Sequence, residues 1–233
     1  MVIGASADIG SKLIDSIANN YSKMVAHYLH WNDDLEILKR KYGSKLVFLQ
    51  ADLCDAELWD NVLRTLTEQN IYPDHIVHLS SPKIITQKFH KSAWDLFQAG
   101  WEISVRSAYA VCQHFLPHMQ QNKYGKILFM LSANTLNMPP KFQAAYTTIK
   151  YALLGLMKSL SGEYAEKGVF VYGVSPDMVK TKFLSKLPEL MVEQYALSRP
   201  KKEILSVTDV VSVMAFLLSD CGDHLYGENI AIR

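Results

Sequence analysis

The sequence predicts an α/β fold in which a doubly wound parallel β-sheet of about seven strands carries helices on both faces. Three observations lead to this prediction. Short apolar runs alternate with amphipathic stretches along all 233 residues. The turn GASADIG, residues 4–10, follows the first apolar run and opens an amphipathic stretch. A hydrophobic content of 49% is typical of a globular protein.

Each strand is predicted from a short apolar run bounded by polar residues or glycine. In chain order these runs are MVI (1–3), KMVAHYL (23–29), KLVFLQ (45–50), DHIVHLS (74–80), KILFML (126–131), VFVYGV (169–174) and NIAI (229–232). Between them apolar residues recur at helical spacing, as Leu13, Ile14 and Ile17 do. The predicted helices cover residues 10–20, 33–43, 56–70, 93–116, 144–168 and 208–219.

The composition gives no general attraction to nucleic acid or to an anionic membrane, because the net charge is only +1. No apolar run approaches the length of a membrane span. Cys54, Cys112 and Cys221 lie far apart and form no zinc spacing, which favours reduced thiols. We therefore expect a cytoplasmic protein with no nucleic-acid and no membrane partner. His114 and His118 are four apart, but no third ligand is apparent and Pro117 is predicted to break the helix, so we expect no metal.

Gly4 and Gly10 flank a turn that opens a helix. Free N–H groups at a helix N-terminus attract a pyrophosphate, and glycine lets the backbone approach it closely. A tight strand–helix turn without a ligand is the alternative. Asp8 lies where a carboxylate would repel a phosphate, so its side chain is predicted either to point outward or to cap the helix.

Tyr146 and Lys150 are four residues apart on a predicted helix and therefore share a face. An adjacent ammonium favours the phenolate, so we expect Lys150 to lower the pKa of Tyr146. Such a tyrosine can exchange a proton with a carbonyl or alcohol oxygen. Ser132 directly follows the strand 126–131, and its hydroxyl is placed to hold that oxygen. The pair alone is also common on helices without any function.

Together these motifs resemble the short-chain dehydrogenase/reductase family over essentially the whole chain. GASADIG is similar to the family's glycine loop, ADL (51–53) to its adenine-contacting site, and GKILFMLS (125–132) with YTTIK (146–150) to its catalytic segments. VSPDMVKT (174–181) resembles its Pro-Gly-x-x-x-Thr segment, and FLLSD with YGENIAI (216–232) its closing elements. The resemblance implies a single Rossmann-type domain over residues 1–233 that uses NAD(P)H to reduce a ketone.

The resemblance also implies the site residues. Ser132, Tyr146 and Lys150 match the family's catalytic residues, and Ser104 falls at its asparagine, which helps to hold a relay water. Implied cofactor-binding residues are Gly4, Ser6, Asp8, Ile9, Gly10, Asp52, Leu53, Ser80, Tyr146, Lys150, Pro176, Val179 and Thr181. The chain departs from the family at Asp8, at HLSS (78–81) in place of Asn-Asn-Ala-Gly, and at Asp177, where Pro-Gly has become Pro-Asp.

The end of the second strand bears on the choice of cofactor. Members that prefer NAD usually carry an acid there, whereas this chain has His30, Trp31 and Asn32. We therefore expect NADP(H) to be favoured over NAD(H), with His30 either a phosphate partner or an ordinary loop histidine.

Family members most similar in length are 3-oxoacyl-carrier-protein reductases, which implies a small-molecule or carrier-bound ketone and an acyl carrier protein as a candidate partner. Lys123 and Lys167 match basic docking positions, although both also read as ordinary surface lysines. A short substrate lid is expected around 182–206, where apolar residues suit an acyl chain or pack the lid on the core. These residues are Phe183, Leu184, Leu187, Leu190, Met191 and Tyr195.

Two other functions remain open. One is the reduction of a sugar or polyketide-type ketone in a specialised biosynthetic pathway, and the other is a non-catalytic NADP(H)-binding sensor. The intact Ser132, Tyr146 and Lys150 speak against the sensor, whereas the changes at Ser104 and Asp8 favour it. The family's helix packing further implies a homodimer or homotetramer.

Overall fold

A seven-stranded parallel sheet forms the centre of the protein, with the strand order β3-β2-β1-β4-β5-β6-β7. The computed structural model describes residues 1–182 and 189–233. The strands are β1 Val2–Ile3, β2 Met24–Tyr28, β3 Leu46–Gln50, β4 His75–His78, β5 Gly125–Met130, β6 Val169–Pro176 and β7 Asn229–Ile232. This architecture confirms the predicted fold class.

Helices cover both faces of the sheet, as the alternation of strands and helices predicts. They are α1 Asp8–Ile17, α2 Asp33–Tyr42, α3 Ala56–Glu68, α4 Trp94–Trp101, α5 Ser107–Asn122, α6 Ala144–Tyr164, α7 Glu189–Leu197 and α8 Val207–Leu218. Buried residues of α3, α5 and α6 pack on one face of the sheet. Buried residues of α1, α2 and α8 pack on the other face.

The chain reverses direction across the sheet between β1 and β4. From β1 it runs outward to β3, and it then returns to β4 on the other side of β1. The connections that leave β1 and β4 therefore run to opposite faces of the sheet, which opens the crevice where α/β sheets bind ligands. The glycine loop follows β1, and the residues after His78 follow β4, so both reach this crevice.

The helical stretch predicted over residues 93–116 is confirmed, but the predicted break at Pro117 is wrong. A π-helical turn, Glu102–Arg106, separates α4 from α5. Moreover, α5 continues through Pro117 to Asn122. Proline disfavours a helix interior, but Phe115, Leu116 and Met119 on either side of it are buried in the core, so packing overrides the local preference.

The predicted lid is only partly within the described residues. Phe183, Leu184, Leu187 and Pro188 lie outside them. Val179 pairs with Leu205, which holds the two ends of the segment together. Leu190 on α7 is largely exposed, whereas the hydroxyl of Tyr195 bonds to Asp177.

Within the parts of the chain that the structure describes, no helix combines the length and the hydropathy that a bilayer span requires. The same residues contain no group of three or more metal-ligating side chains. His118 instead stacks on Tyr72, with ring centroids 4.1 Å apart, and its Nε2 bonds to the amide of Asn122 at 2.9 Å.

Candidate active site

The glycine loop has the backbone geometry of a phosphate-binding turn. Gly4 has φ of +93°, which residues with a side chain rarely adopt, and a Cβ on Gly10 would lie 2.3 Å from the carbonyl oxygen of Gly4. No side chain caps the N-terminus of α1, whose N-cap residue is Ala7. The first N–H groups of the helix are therefore left for a ligand, and the loop fits a dinucleotide pyrophosphate.

Gly10→Ala tests this close packing. Because the added Cβ meets backbone atoms of Gly4 and Ala5, the loop must shift, and we expect a loss of about 2–4 kcal/mol of unfolding free energy. Gly155→Ala in α6 is the matched control, since no atom lies within 4 Å of its added Cβ, and it should stabilise the protein by up to about 1 kcal/mol. Denaturant unfolding measures both, and equal stabilities would contradict the proposed geometry.

Asp8 does not cap α1, so that alternative is wrong. It is the first helical residue, and its carboxylate accepts a hydrogen bond from the backbone N–H of Lys182 at 2.6 Å. The ammonium of Lys182 lies 3.6 Å from Asp8 and 2.8 Å from Asp34. The carboxylate therefore faces residues just after β6, and a lysine charge lies beside it.

Ser132, Tyr146 and Lys150 meet at the carboxyl edge of the sheet. Ser132 follows β5 after Leu131, while Tyr146 and Lys150 lie on the first turns of α6. The ammonium of Lys150 donates to the carbonyl oxygen of Met130 at 2.8 Å and lies 5.6 Å from the ring centroid of Tyr146. The structure thus brings together the residues that the sequence placed in one site.

The pKa of Tyr146 differs from the sequence expectation. Burial raises it, and hydrogen bonds with the side chains of Ser132 and Ser81 only partly oppose this effect. Lys150 does not lower it here, since burial lowers the pKa of Lys150 itself to about 7 and its ammonium is bonded to a backbone carbonyl. Tyr146 therefore keeps its proton at neutral pH.

Two residues near Tyr146 were not predicted as site residues from the sequence. Ser81, the last residue of HLSS, contributes a second hydroxyl to the phenol of Tyr146. Asn134 fixes the loop behind Ser132: its N–H donates to Ser132 Oγ at 3.3 Å, and its side-chain amide donates to Gln143 Oε1 at 2.9 Å. The only sequence feature that could have indicated Asn134 as a site residue is its position two residues after Ser132.

Ser104 lies within the π-helical turn and is completely buried. Its hydroxyl donates to the carbonyl oxygen of Ser80 at 3.3 Å, so it ties the turn to the end of β4. π-helical turns occur frequently at functional sites. The turn is also held by Ser107, whose hydroxyl donates to the carbonyl oxygen of Ile103 at 2.6 Å and bonds to His78 Nε2 at 2.8 Å.

His78 is neutral at physiological pH, because burial lowers its pKa to about 3. Since the Ser107 hydroxyl hydrogen points to Ile103, the neutral imidazole must donate from Nε2. In the sequence His78 is only a departure from the family's Asn-Asn-Ala-Gly, and Ser107 belongs to no motif.

The remaining predicted cofactor residues line the same edge. Ser80 Oγ lies against Gly4, 3.1 Å from the position of an added Cβ, and Thr181 Oγ1 donates to the carbonyl oxygen of Val179 at 3.4 Å. Asp52 accepts from the N–H of Cys54 at 2.9 Å. Ser6, Ile9, Leu53 and Pro176 complete the set at the ends of β1, β3 and β6.

Lys123 and Lys167 lie at the opposite edge. Lys123 precedes β5 and Lys167 precedes β6, so within one chain a strand length of about 20 Å separates them from Ser132. The two are near each other, since a Cβ on Gly168 would lie 2.2 Å from the carbonyl oxygen of Lys123. The Lys167 ammonium lies over the ring of Tyr164, 4.5 Å from its centroid.

Comparison with known proteins identifies the family. Residues 4–232 match the family model described as Enoyl-(Acyl carrier protein) reductase. The chain belongs to the short-chain dehydrogenase/reductase family of NAD(P)-dependent oxidoreductases. A 3-oxoacyl-[acyl-carrier-protein] reductase from Rickettsia conorii is 26% identical over 236 residues, which cover 100% of this chain and 94% of that protein.

Solved structures share the fold. L-sorbose reductase from Gluconobacter frateurii, complexed with NADPH and L-sorbose, superimposes with a TM-score of 0.88 at 19% identity, covering 99% of this chain and 93% of that one. A 4-hydroxyisoleucine dehydrogenase complexed with NADH and succinate superimposes with a TM-score of 0.86 at 22% identity, covering 100% and 97%.

Proposed function

We propose that this short-chain dehydrogenase/reductase reduces the ketone of a 3-oxoacyl thioester to an alcohol. The observation that carries the proposal is the convergence of Ser132, Tyr146 and Lys150, of which Tyr146 lines a cleft. Tyr146 lines this cleft together with apolar residues of the loop after β4, of α4, of the loop before α6 and of α6, including Ile85, Phe89, Leu96, Phe142 and Ile149. Such a lining suits an acyl chain better than a sugar.

The chemistry follows from the protonation states. Tyr146, whose pKa is raised by burial, is protonated at neutral pH and donates its proton to the substrate carbonyl oxygen. Ser132 holds that oxygen and polarises the carbonyl bond. Lys150 exchanges protons near neutral pH because its pKa is about 7, so it can return a proton toward Tyr146. The bound nicotinamide would supply the hydride.

Ser104 anchors the relay behind Lys150 in this proposal. Ser104→Ala removes its bond to Ser80, and we expect kcat to fall by about 10-fold. Ser104→Asn restores the residue type of the family and should be faster than wild type if serine weakens the relay. Steady-state kinetics measure both variants, with thermal unfolding as the control for folding. Unchanged kcat in both variants would remove Ser104 from the mechanism.

NADP(H) is the proposed cofactor. The end of β2 carries no acid before Asp33, and the Lys39 ammonium lies over the exposed ring of Trp31, 5.6 Å from its centroid. A cation at this position favours a 2′-phosphate over a 2′-hydroxyl. Asn32, which caps α2, donates its amide to the carbonyl oxygen of Ser6 at 2.8 Å and thereby joins this region to the glycine loop.

The location, the oligomeric state and the form of the substrate are also part of the proposal. We place the protein in the cytoplasm as one domain with a lid over 182–206, consistent with its three free cysteines. Exposed aromatic side chains on α4, α5 and α6 support a homodimer or homotetramer: Trp94, Trp101, Tyr109 and Tyr151. The substrate is free or bound to an acyl carrier protein.

NADPH consumption by the purified protein with an acetoacetyl thioester tests the proposal, with NADH in parallel. Turnover that is faster with NADPH supports both the reaction and the cofactor. L-Sorbose as substrate tests the alternative that the protein reduces a sugar, since the L-sorbose reductase shares this fold. Cofactor binding without turnover of any ketone would favour the sensor.

A further inference from the structure

The charge of the chain is unevenly distributed around Tyr146. Although Asp plus Glu nearly equals Lys plus Arg overall, residues 75–94 and 103–162 contain no Asp or Glu at all. These two segments supply the loop after β4, the loop after β5 and the start of α6. The two loops that flank Tyr146 in the cleft therefore carry no acidic residue, while Asp52 and Asp177 lie elsewhere along the same edge of the sheet.

Four lysines lie on the two loops that wall the cleft, and we call them the cationic rim: Lys83, Lys88, Lys91 and Lys141. All four are exposed. Lys83 lines the cleft together with Tyr146. Among residues 1–182 and 189–233, no acidic side chain forms an ion pair with any of the four.

The two loops are joined, so the rim has a defined position over the cleft. The N–H of Gln87 donates to the carbonyl oxygen of Phe142 at 2.8 Å, next to Lys141. The side-chain amide of Gln87 donates to the carbonyl oxygen of Lys91 at 2.7 Å. The acid that follows next in the sequence, Asp95, lies in the first turn of α4, where the helix dipole already stabilises its charge.

We infer that the cationic rim binds the phosphate groups of a phosphopantetheine-type thioester while its acyl chain enters the apolar cleft beside Tyr146. This inference rests on the proposed function and deepens it, because it selects an anionic thioester over a neutral ketone. Unpaired cations above a low-dielectric cleft raise the local concentration of an anionic substrate, and the effect weakens with added salt. The rim, and not Lys123 or Lys167, lies at the same edge as Tyr146.

Two substrates with the same acyl group separate the rim from the chemistry. Acetoacetyl-coenzyme A carries phosphates, and the N-acetylcysteamine thioester of acetoacetate does not. The rim variant replaces Lys83, Lys88, Lys91 and Lys141 with Gln. The matched control replaces four other lysines with Gln: Lys23, Lys45, Lys123 and Lys167. Each of them lies one or two residues before a strand, at the amino-terminal edge of the sheet and therefore opposite the cleft.

We expect the rim variant to raise KM for the coenzyme A thioester by about 10-fold at low salt, with a smaller effect at high salt. KM for the neutral thioester and kcat for both should stay at the wild-type values, as should all constants of the control variant. If both variants raise KM for the coenzyme A thioester equally, or if the rim variant changes neither substrate, the inference is wrong while the proposed function stands.

Failure of the proposed function has a different signature, namely no turnover of either thioester. In that case the affinity of the protein for acetyl-coenzyme A is measured by calorimetric titration. Saturating NADP is present to block the dinucleotide site. Binding that the rim substitutions weaken by about 10-fold, with no effect of the control substitutions, supports the rim on its own. Absent or unchanged binding would overturn it.

Discussion

Replacing Tyr146 with Phe is expected to lower kcat by about 10³-fold, because the variant has no proton to give to the carbonyl oxygen. The variant should fold and bind cofactor normally, since only the hydroxyl is lost. The hydroxyls of Ser132 and Ser81 lie beside the phenol, and water can take its place in the variant. Stopped-flow measurement of NADPH oxidation gives the rate, and fluorescence titration gives the cofactor affinity.

Tyr151→Phe is the matched control on the same helix. Its side chain is substantially exposed, and it lies five residues after Tyr146. The control variant should retain the wild-type kcat. Near-wild-type turnover by Tyr146→Phe would remove Tyr146 from the role of general acid, whatever the behaviour of the control.

Lys150→Met is expected to lower turnover strongly and at the same time to stabilise the protein near pH 7. Lys150 is almost completely buried, and burial lowers the pKa of its ammonium from 10.5 to about 7. Holding this amine in the core costs free energy that methionine avoids, so we expect the variant to gain about 1–3 kcal/mol of unfolding free energy. Its kcat should fall by at least about 10²-fold.

The lowered pKa of Lys150 also makes the unfolding free energy of the wild-type protein depend on pH. Between pH 7 and pH 10.5 the unfolded chain holds a proton on Lys150 that the folded chain has released, so this residue makes stability rise with pH. Below pH 7 both states are protonated and the contribution no longer changes. The advantage of Lys150→Met over wild type should therefore shrink from pH 7 toward pH 10.

Urea unfolding at several pH values measures this difference directly. Lys158→Met is the control, since Lys158 lies on the same helix and its ammonium reaches the carbonyl oxygen of Gly227 at the surface. The control should show no such narrowing of the stability difference with pH. A Lys150→Met variant that is less stable than wild type near pH 7 would show that the buried amine stabilises the fold.

The fold was predictable because its signals are local and repeated. Each strand is a short apolar run, and the parallel order follows from the helix between each pair of strands. The short strand at Val2–Ile3 and the turn closed by Gly4 and Gly10 were identified from a few residues. Ser132, Tyr146 and Lys150 were placed in one site because a strand end and a helical spacing fixed their positions.

The parts that the sequence did not predict depend on packing between distant segments. Pro117 lies inside α5 because core contacts outweigh the lost backbone bond, which no local pattern encodes. The bond of Asp8 to the backbone of Lys182 spans 174 residues of sequence. The raised pKa of Tyr146 comes from burial, a property of the folded site, while the residue spacing indicated only the adjacent ammonium.

The most direct test of the proposed reaction follows deuterium from NADPH that carries deuterium at both C4 positions of the nicotinamide. Wild-type protein and Tyr146→Phe are incubated with an acetoacetyl thioester, and the hydroxyacyl product is analysed by mass spectrometry. The account predicts a product with one deuterium on the former carbonyl carbon for wild type, formed about 10³-fold more slowly by the variant. Equal rates of labelled-product formation by both proteins, or no labelled product from wild type, would contradict it.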